Sequence, residues 1–303
     1  MLDSIKLFRD IAQAKSVSKG AAENGISQSA ASQHLQELER KLGVKLLNRT
    51  TRPVTPTEAG KLYLDFCRDV LRRQDQFLAD LDRLKPRVEG LVRVASIYSI
   101  GLSEMSRLRE AFTERFPHVR LQVDYMRPDR IYEAVLGDKA DMGLVSYPVA
   151  TKELAVIPWR EEEMAVAAAP NHPLAQTAVL VPSDLAAHDF VGFDEELTIR
   201  RELDRFFRGH DVEIRMAMQF DNIQMVKEAV ALGSGVSILP ARTFQADVEQ
   251  GRLVSIPLLA PGLVRPLGIV HRRKKKFNRA TQCFLELLQE TPDADKAGFY
   301  STR

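Results

Sequence analysis

Cysteine is nearly missing from this 303-residue chain: Cys67 and Cys283 stand alone and far apart, which excludes a disulfide framework and a cysteine-based zinc site. Both are read as reduced, buried thiols. No run approaches eighteen apolar residues, so no membrane span is expected. The six histidines show no metal-ligand spacing. No Ser-His-Asp order or carboxylate pair argues for catalysis, so no metal, cofactor or enzymatic activity is expected. The glycine cluster Gly233-Ser234-Gly235 follows a helix pattern and precedes a strand. That is the reverse of a phosphate-binding loop and reads as a helix C-cap turn.

The chain also lacks a large charge surplus, at +2 overall, but the charge is unevenly spread. Residues 1–90 hold 16 Lys and Arg against 12 Asp and Glu, and residues 40–73 hold nine basic against three acidic side chains. Such a local excess is the electrostatic footprint of a polyanion partner, whereas Arg272-Arg273-Lys274-Lys275-Lys276 further on reads as a solvated helix start. With 45% hydrophobic residues the chain is long enough for two or more folding units. Its start, MLDSIKLFRDIAQAK, has acids at Asp3 and Asp10 and a 3.6-residue apolar period. It is an amphipathic helix and not a signal peptide, so a cytoplasmic location is expected.

Residues 18–42, SKGAAENGISQSAASQHLQELERKL, organise the rest. Gly25 can take the positive φ that ends a first helix, Ile26 turns into the core, and Ser27 is placed to cap a second. That second helix is expected to bury Ala31, Leu35, Leu38 and Leu42, leaving Gln28, Ser29, Ser32, Gln33 and Gln36 on other faces. Its first turn carries hydroxyls and amides with no carboxylate, which suits contact with a polyanion and can reach base edges in a major groove. An ordinary helical hairpin with a polar surface would show the same side chains. Residues 44–60, VKLLNRTTRPVTPTEAG, then read as two short strands with a basic, Thr-rich tip. Arg49 and Arg52 would lie beside the second helix as phosphate or minor-groove contacts. Thr55-Pro56-Thr57-Glu58 reads as a capping box with proline at the first helical position.

Together the N-terminal helix, the Ala-Ala helix, SQSAxS, LxxLExxLGVxLLxR, the wing and TEAG resemble the LysR-type transcriptional regulators over about the first sixty residues. The chain length and layout of the remainder are similar to that family too. The resemblance implies a winged helix-turn-helix over residues 1–58, binding double-stranded DNA through Ser27, Gln28, Ser29, Ser32, Gln33, Arg49, Thr51 and Arg52. It implies a linker and dimerisation helix over 59–89, an effector-binding domain over 90–290, and a tail over 291–303. It also implies a homodimer that assembles further to a tetramer.

The linker pattern itself runs from Thr57 to about Arg87, roughly 45 Å of helix at 1.5 Å per residue. Apolar residues at Tyr63, Phe66, Val70, Phe77, Leu81, Leu84 and Val88 approach a heptad seam, the spacing of a partner helix. From Gly90 strands and helices alternate: LVRVASI, a helix over 102–116, LQVDYM, a helix over 129–136, and DMGLVSY. This βαβαβ run implies a parallel sheet. MAVAAAP, DFVGF, a helix over 199–207, IRMAMQF, a helix over 223–232 and GVSILP make a second run. RPLGIVHR and a helix over 277–288 then return to the first. Two α/β lobes result, lobe I from 90–161 and 267–290, lobe II from 162–266, with crossings near 159–163 and 263–266. They resemble a periplasmic-binding-protein-like, two-lobed sensor.

In such folds ligands sit at the carboxyl ends of strands, here Ser99, Met126, Ser146-Tyr147, Phe193 and Asp221-Asn222. Tyr125-Met126-Arg127-Pro128 makes one wall bulkier than small polar residues would. Ser99 and Asn222 each precede a helix pattern, so each serves as an N-cap or as a grip on a ligand; the resemblance favours the grip, one residue from each lobe. The implied effector site is Ser99, Ile100, Met126, Tyr147, Phe193 and Asn222. Its donors, with cations at Arg127 and Arg200 and one carboxylate at Asp221, favour a small anionic effector. The expected function is sequence-specific DNA binding controlled by that effector. A solute-binding protein or an α/β enzyme would need only the second part of the chain, and leaves the first ninety residues unexplained.

Overall fold

The computed structural model describes residues 2–49, 53–260 and 262–290, the side chains of Leu102 and Ser103 excepted. The chain divides into two compact units, residues 1–86 with 275–278, and the remainder from residue 87. The expected tail over 291–303 lies outside the described residues.

In the first unit α1 (Leu2–Ala14) buries Ile5, Phe8 and Ile11 at helical spacing against α2 (Val17–Glu23) and α3 (Gln28–Leu42). The corner between α2 and α3 forms as the residues dictate. Gly25 takes φ +66°, and Ser27 accepts the Ala30 amide at 3.2 Å as N-cap of α3. Ala31 and Leu35 are buried, but Leu38 is only half-buried and Leu42 is 46% exposed, contrary to expectation. Glu39 turns inward instead, because its carboxylate accepts the Leu46 amide at 2.8 Å and the Leu47 amide at 3.3 Å. A buried carboxylate with such donors is satisfied where an unpaired one would not be.

The wing is a short antiparallel pair, β1 (Leu47–Asn48) and β2 (Thr55–Pro56). Pro56 therefore lies in a strand, not at a helix start. The cap of α4 (Glu58–Asp82) is Thr57, whose hydroxyl accepts the Gly60 amide at 3.0 Å. A Cβ on Gly60 would sit 1.9 Å from the Leu46 carbonyl oxygen, so only glycine lets α4 approach the wing this closely. Helix α4 stops at Asp82, short of Arg87, because Lys85 precedes Pro86 and is steered out of helical geometry. Tyr63 and Val70, expected on a partner seam, pack on the unit's own core, Tyr63 edge-on to Phe8 with centroids 4.9 Å apart. Cys67 is buried beneath them, and burial pushes its thiol up to about 12. Cys283 is only half-buried, not buried as expected.

The second unit is built on a mixed sheet, not a wholly parallel one. β3 (Gly90–Ser96) pairs in parallel with β4 (Val119–Tyr125) and β5 (Met142–Ser146), as the βαβαβ pattern requires. The returning β11 (Val264–Arg272) runs antiparallel to β5 and to β6 (Leu154–Ala168). Strand β6 is 15 residues long. Its first half belongs to lobe I; its second half takes β9 (Ser237–Pro240) and β10 (Val254–Ile256) antiparallel in lobe II. The first crossing is thus continuous strand. Lobe II adds β7 (Asp189–Phe193) parallel to β8 (Arg215–Phe220) over its own core.

Helices follow most strand ends. The expected helix over 102–116 is instead two, α5 (Tyr98–Ser103) and α6 (Met105–Arg115), broken at Glu104 with φ −132°. The break leaves the Glu104 carboxylate buried against Arg242 at 2.6 Å. The others are α7 (Pro128–Leu136), α8 (Thr198–Gly209), α9 (Ile223–Ala231), α10 (Gln245–Glu249) and α11 (Arg279–Glu290).

Candidate DNA-reading face and effector cavity

The start of α3 is a small array of neutral donors and acceptors. Gln28, Ser29 and Gln33 are exposed and Ser32 is half-buried. The Ser18 hydroxyl donates to Gln28 Oε1 at 3.0 Å, and the Ser27 and Ser29 hydroxyls lie 2.9 Å apart. With no acid in the first turn, the positive end of the helix is open to an anion. At the wing, Arg49 Nη2 sits 3.3 Å and Lys45 Nζ 3.2 Å from Glu39 Oε2. Burial opposes ionisation of Glu39, but the Leu46 and Leu47 amides with these two cations outweigh it and hold the carboxyl below its ordinary range. Arg49 is therefore oriented by an internal carboxylate, a partner that the sequence reading did not supply. Thr51 and Arg52 lie outside the described residues.

On α4, Phe66 and Phe77 are 52% and 60% exposed, with Leu62, Leu78 and Leu81 also exposed. That is an unusual number of large apolar side chains for one helix to leave exposed.

Between the sensor lobes lies a small cavity of about 70 Å³, lined from five strand ends and the hinge strand β11. Helix starts surround it: Tyr98 and Ser99 of α5, Pro128 of α7, Thr198 and Ile199 of α8, and Ile223 of α9. Three of the four helices have no side-chain cap; α9 is capped by Asn222, whose Oδ1 accepts the Met225 amide at 3.0 Å. Ser99, Met126, Phe193 and Asn222 thus come together as expected.

The structure corrects the remaining expectations. Ser99 is not an N-cap but lies inside α5, buried, its Oγ accepting from Arg265 Nη1 at 3.0 Å. Ile100 is fully buried in the core and does not line the cavity, since the next residue of a helix points about 100° away. Tyr147 lines a different cleft, because its positive φ of 49° turns the chain after β5. Burial pushes its phenol up to about 12. Arg200 is held within lobe II by Asp204, the Phe193 carbonyl and Gln219, at 2.8, 2.9 and 3.0 Å. Arg127 does line the cavity and reaches across the lobes to Glu196 at 3.1 Å.

Arg265 escapes the sequence reading. It is buried in β11, bonded to Glu162 through Nε at 2.8 Å and through Nη2, with Nη1 turned to Ser99. The available signal was an arginine in the otherwise apolar strand V-R-P-L-G-I-V. An arginine there is almost never buried without a partner.

Two family models match the chain. Residues 2–61 match the bacterial regulatory helix-turn-helix protein, lysR family, and residues 86–293 match the LysR substrate binding domain. The chain is 26% identical over 285 residues to the uncharacterized HTH-type transcriptional regulator YeiE of Escherichia coli K12, covering 94% of this chain and 96% of that one. It is 27% identical over 287 residues to the RuBisCO operon transcriptional regulator of Allochromatium vinosum, covering 95% of each. A full-length OxyR variant from Pseudomonas aeruginosa shares the fold, with a TM-score of 0.75 at 19% identity over 95% of this chain and 93% of that one. Among the described residues no helix is long and apolar enough to cross a membrane. The N-terminal reading helix and the two-lobed sensor agree with the two matches, which together span nearly the whole length: the chain belongs to the LysR family of DNA-binding transcriptional regulators and is not an enzyme.

Proposed function

We propose that this regulator binds its operators sequence-specifically and that a small anionic effector, held in the inter-lobe cavity, controls it. The observation that carries the reading is the convergence of four helix starts, three without a side-chain cap, on one small cavity. Backbone N–H groups at helix starts favour negative charge, and Ser99, Asn222 and Arg265 add side-chain polarity. Asp221 is the one carboxylate in the lining among the described residues. A volume of about 70 Å³ suits an oxyanion of few heavy atoms or a state that opens to admit more. Opening requires breaking the Arg127–Glu196 pair, which is partly exposed and therefore weak.

Base reading falls to Gln28, Ser29, Ser32 and Gln33 behind the Ser27 cap, and phosphate contact to Arg49 with Thr51 and Arg52. The exposed stripe on α4 makes the homodimer, with a tetramer as the further assembly, and a cytoplasmic location fits a DNA-bound protein. A thermal-shift screen of the full-length chain against small carboxylates, phosphates and sulfur oxyanions, with polyamines as controls, tests the effector assignment. Stabilisation by an anion that is lost in Ser99→Ala with Asn222→Ala supports it. A response to polyamines alone overturns it.

A further inference from the structure

We propose, resting on the anionic reading of the inter-lobe cavity, that Glu196 is a built-in competitor of the effector: its carboxylate holds Arg127, and an anion binds by taking that arginine from it. Arg127 precedes α7 in lobe I and lines the cavity. Glu196 stands on lobe II, shortly before α8, and accepts from Arg127 Nη2 at 3.1 Å. Its neighbours Leu197 and Thr198 line the cavity, so the carboxylate is delivered from the cavity wall.

The backbone around Glu196 is fixed while its side chain is free to leave. The Leu197 amide donates to the Asp194 carbonyl at 3.0 Å, and Arg201 Nη2 donates to the Glu196 carbonyl and to the Thr198 hydroxyl, both at 3.3 Å. The Glu196 side chain is 83% exposed, and among the described residues its carboxylate has no hydrogen-bond partner besides Arg127. Asp129, whose Oδ1 lies 3.5 Å from Arg127 Nε, belongs to α7 itself and moves with the arginine. The other arginine of the lining offers the contrast. Arg265 is bonded to Glu162 through both Nε and Nη2, and that carboxylate is fully buried. Opening a buried, doubly bonded pair leaves a charge unpaired. Opening an exposed, singly bonded one costs little, because water receives the released carboxylate. Of the two arginines lining the cavity among the described residues, Arg127 is therefore the one that can change partner.

A negative oxygen on Arg127 is also what an anionic effector offers, so the exchange is like for like. The competitor is tethered, at an effective concentration on the order of millimolar, and every anion that uses Arg127 must displace it. That cost is the same whichever anion enters. An effector is favoured by the bonds that Glu196 does not make, to the Ser99 and Asn222 side chains and to the helix starts of α5, α7 and α8, which have no side-chain cap. Glu196 thus sets the concentration at which the regulator responds. Its release removes one bond between the lobes as the effector adds its own to each.

Sulfate, an oxyanion that a cavity of about 70 Å³ admits, is titrated by calorimetry into the full-length protein and into Glu196→Gln, Arg127→Gln and the double variant, with chloride holding the ionic strength constant. Glu196→Gln keeps the side chain's size and removes its charge. It is expected to tighten sulfate about two- to fivefold, the range of one exposed ion pair. Arg127→Gln should weaken sulfate about tenfold or more, as the loss of a charge-assisted contact implies. In the Arg127→Gln background, Glu196→Gln should change nothing, because no arginine is left to compete for. A gain retained in that background means that Glu196 acts only through its field on the cavity, and overturns the proposal; so does unchanged or weaker binding in Glu196→Gln alone. The anionic reading fails separately: sulfate bound equally by wild type and by Ser99→Ala with Asn222→Ala, or bound by neither wild type nor Glu196→Gln, removes that reading and the competitor with it. Circular-dichroism melting checks the variants. If Arg127→Gln misfolds, the comparison of Glu196→Gln with wild type decides.

Discussion

The reading head and the sensor solve the same problem, presenting polar groups to a ligand, in opposite ways. In the head the side chains concerned fall within a few dozen consecutive residues on an exposed helix start. In the sensor they come from segments as far apart as those of Ser99 and Arg265, and several are buried. A local, solvated site needs only a cap and a periodic core behind it. A buried site assembled from remote segments needs every polar group matched by a partner, so its residues are constrained by one another. The two internal carboxylates show the contrast: Glu39 braces the wing from its own neighbourhood, whereas Glu162 is held by an arginine over a hundred residues away.

The strongest break in this comparison would come from the head's association surface. Phe66→Asp with Phe77→Asp should yield folded monomers by sedimentation, since each buried unpartnered charge costs several kcal/mol in two copies. An intact dimer would put the seam elsewhere. Next, Arg265→Ala should lower sensor stability by about 3–5 kcal/mol in urea unfolding, because it leaves Glu162 buried and unpaired; a loss under about 1 kcal/mol, the range of an exposed pair, would mean that Glu162 finds water. Smaller is the effect of Asn222→Ala, about 1 kcal/mol from the lost cap, with effector response gone and operator affinity unchanged in gel shifts.

Within the head, Gln28→Ala should relax base preference by about 1–3 kcal/mol at one position, whereas Arg52→Ala should weaken all sequences alike and flatten the salt dependence. Equal loss of discrimination from both would erase the distinction. The smallest effect is on pH. The folded-state pKa of Glu39 is depressed from its ordinary 4.5, so its contribution is present above that value and is lost as pH falls through the lower folded value. Acid titration of the first unit's melting should therefore be shallower in Glu39→Gln than in the wild type.

The head was legible because its signals are short-range: Ser27 as cap, Gly25 at positive φ, apolar spacing along α1 and α3. Its misses are short-range too: the local pattern favours Thr55 as cap where Thr57 serves, and it carries α4 past Asp82. In the sensor alternation locates the strand ends, and four of six expected cavity residues meet there.

What failed was any judgement about which neighbour a side chain would find. Tyr147 and Arg200 look like ligands in the sequence, yet one turns to the hinge cleft and the other is spent on Asp204, Phe193 and Gln219. The chain by itself determined the order of elements, the capped polar start of α3 and the two-lobed layout, since hydrophobic period and turn chemistry act over a few residues. Only the tertiary structure decided that β6 runs unbroken through the hinge, that Arg265 pairs with Glu162, and that Arg160 is buried against Glu104. Those facts depend on contacts between residues remote in sequence, and no local pattern encodes which remote partner a buried charge will meet.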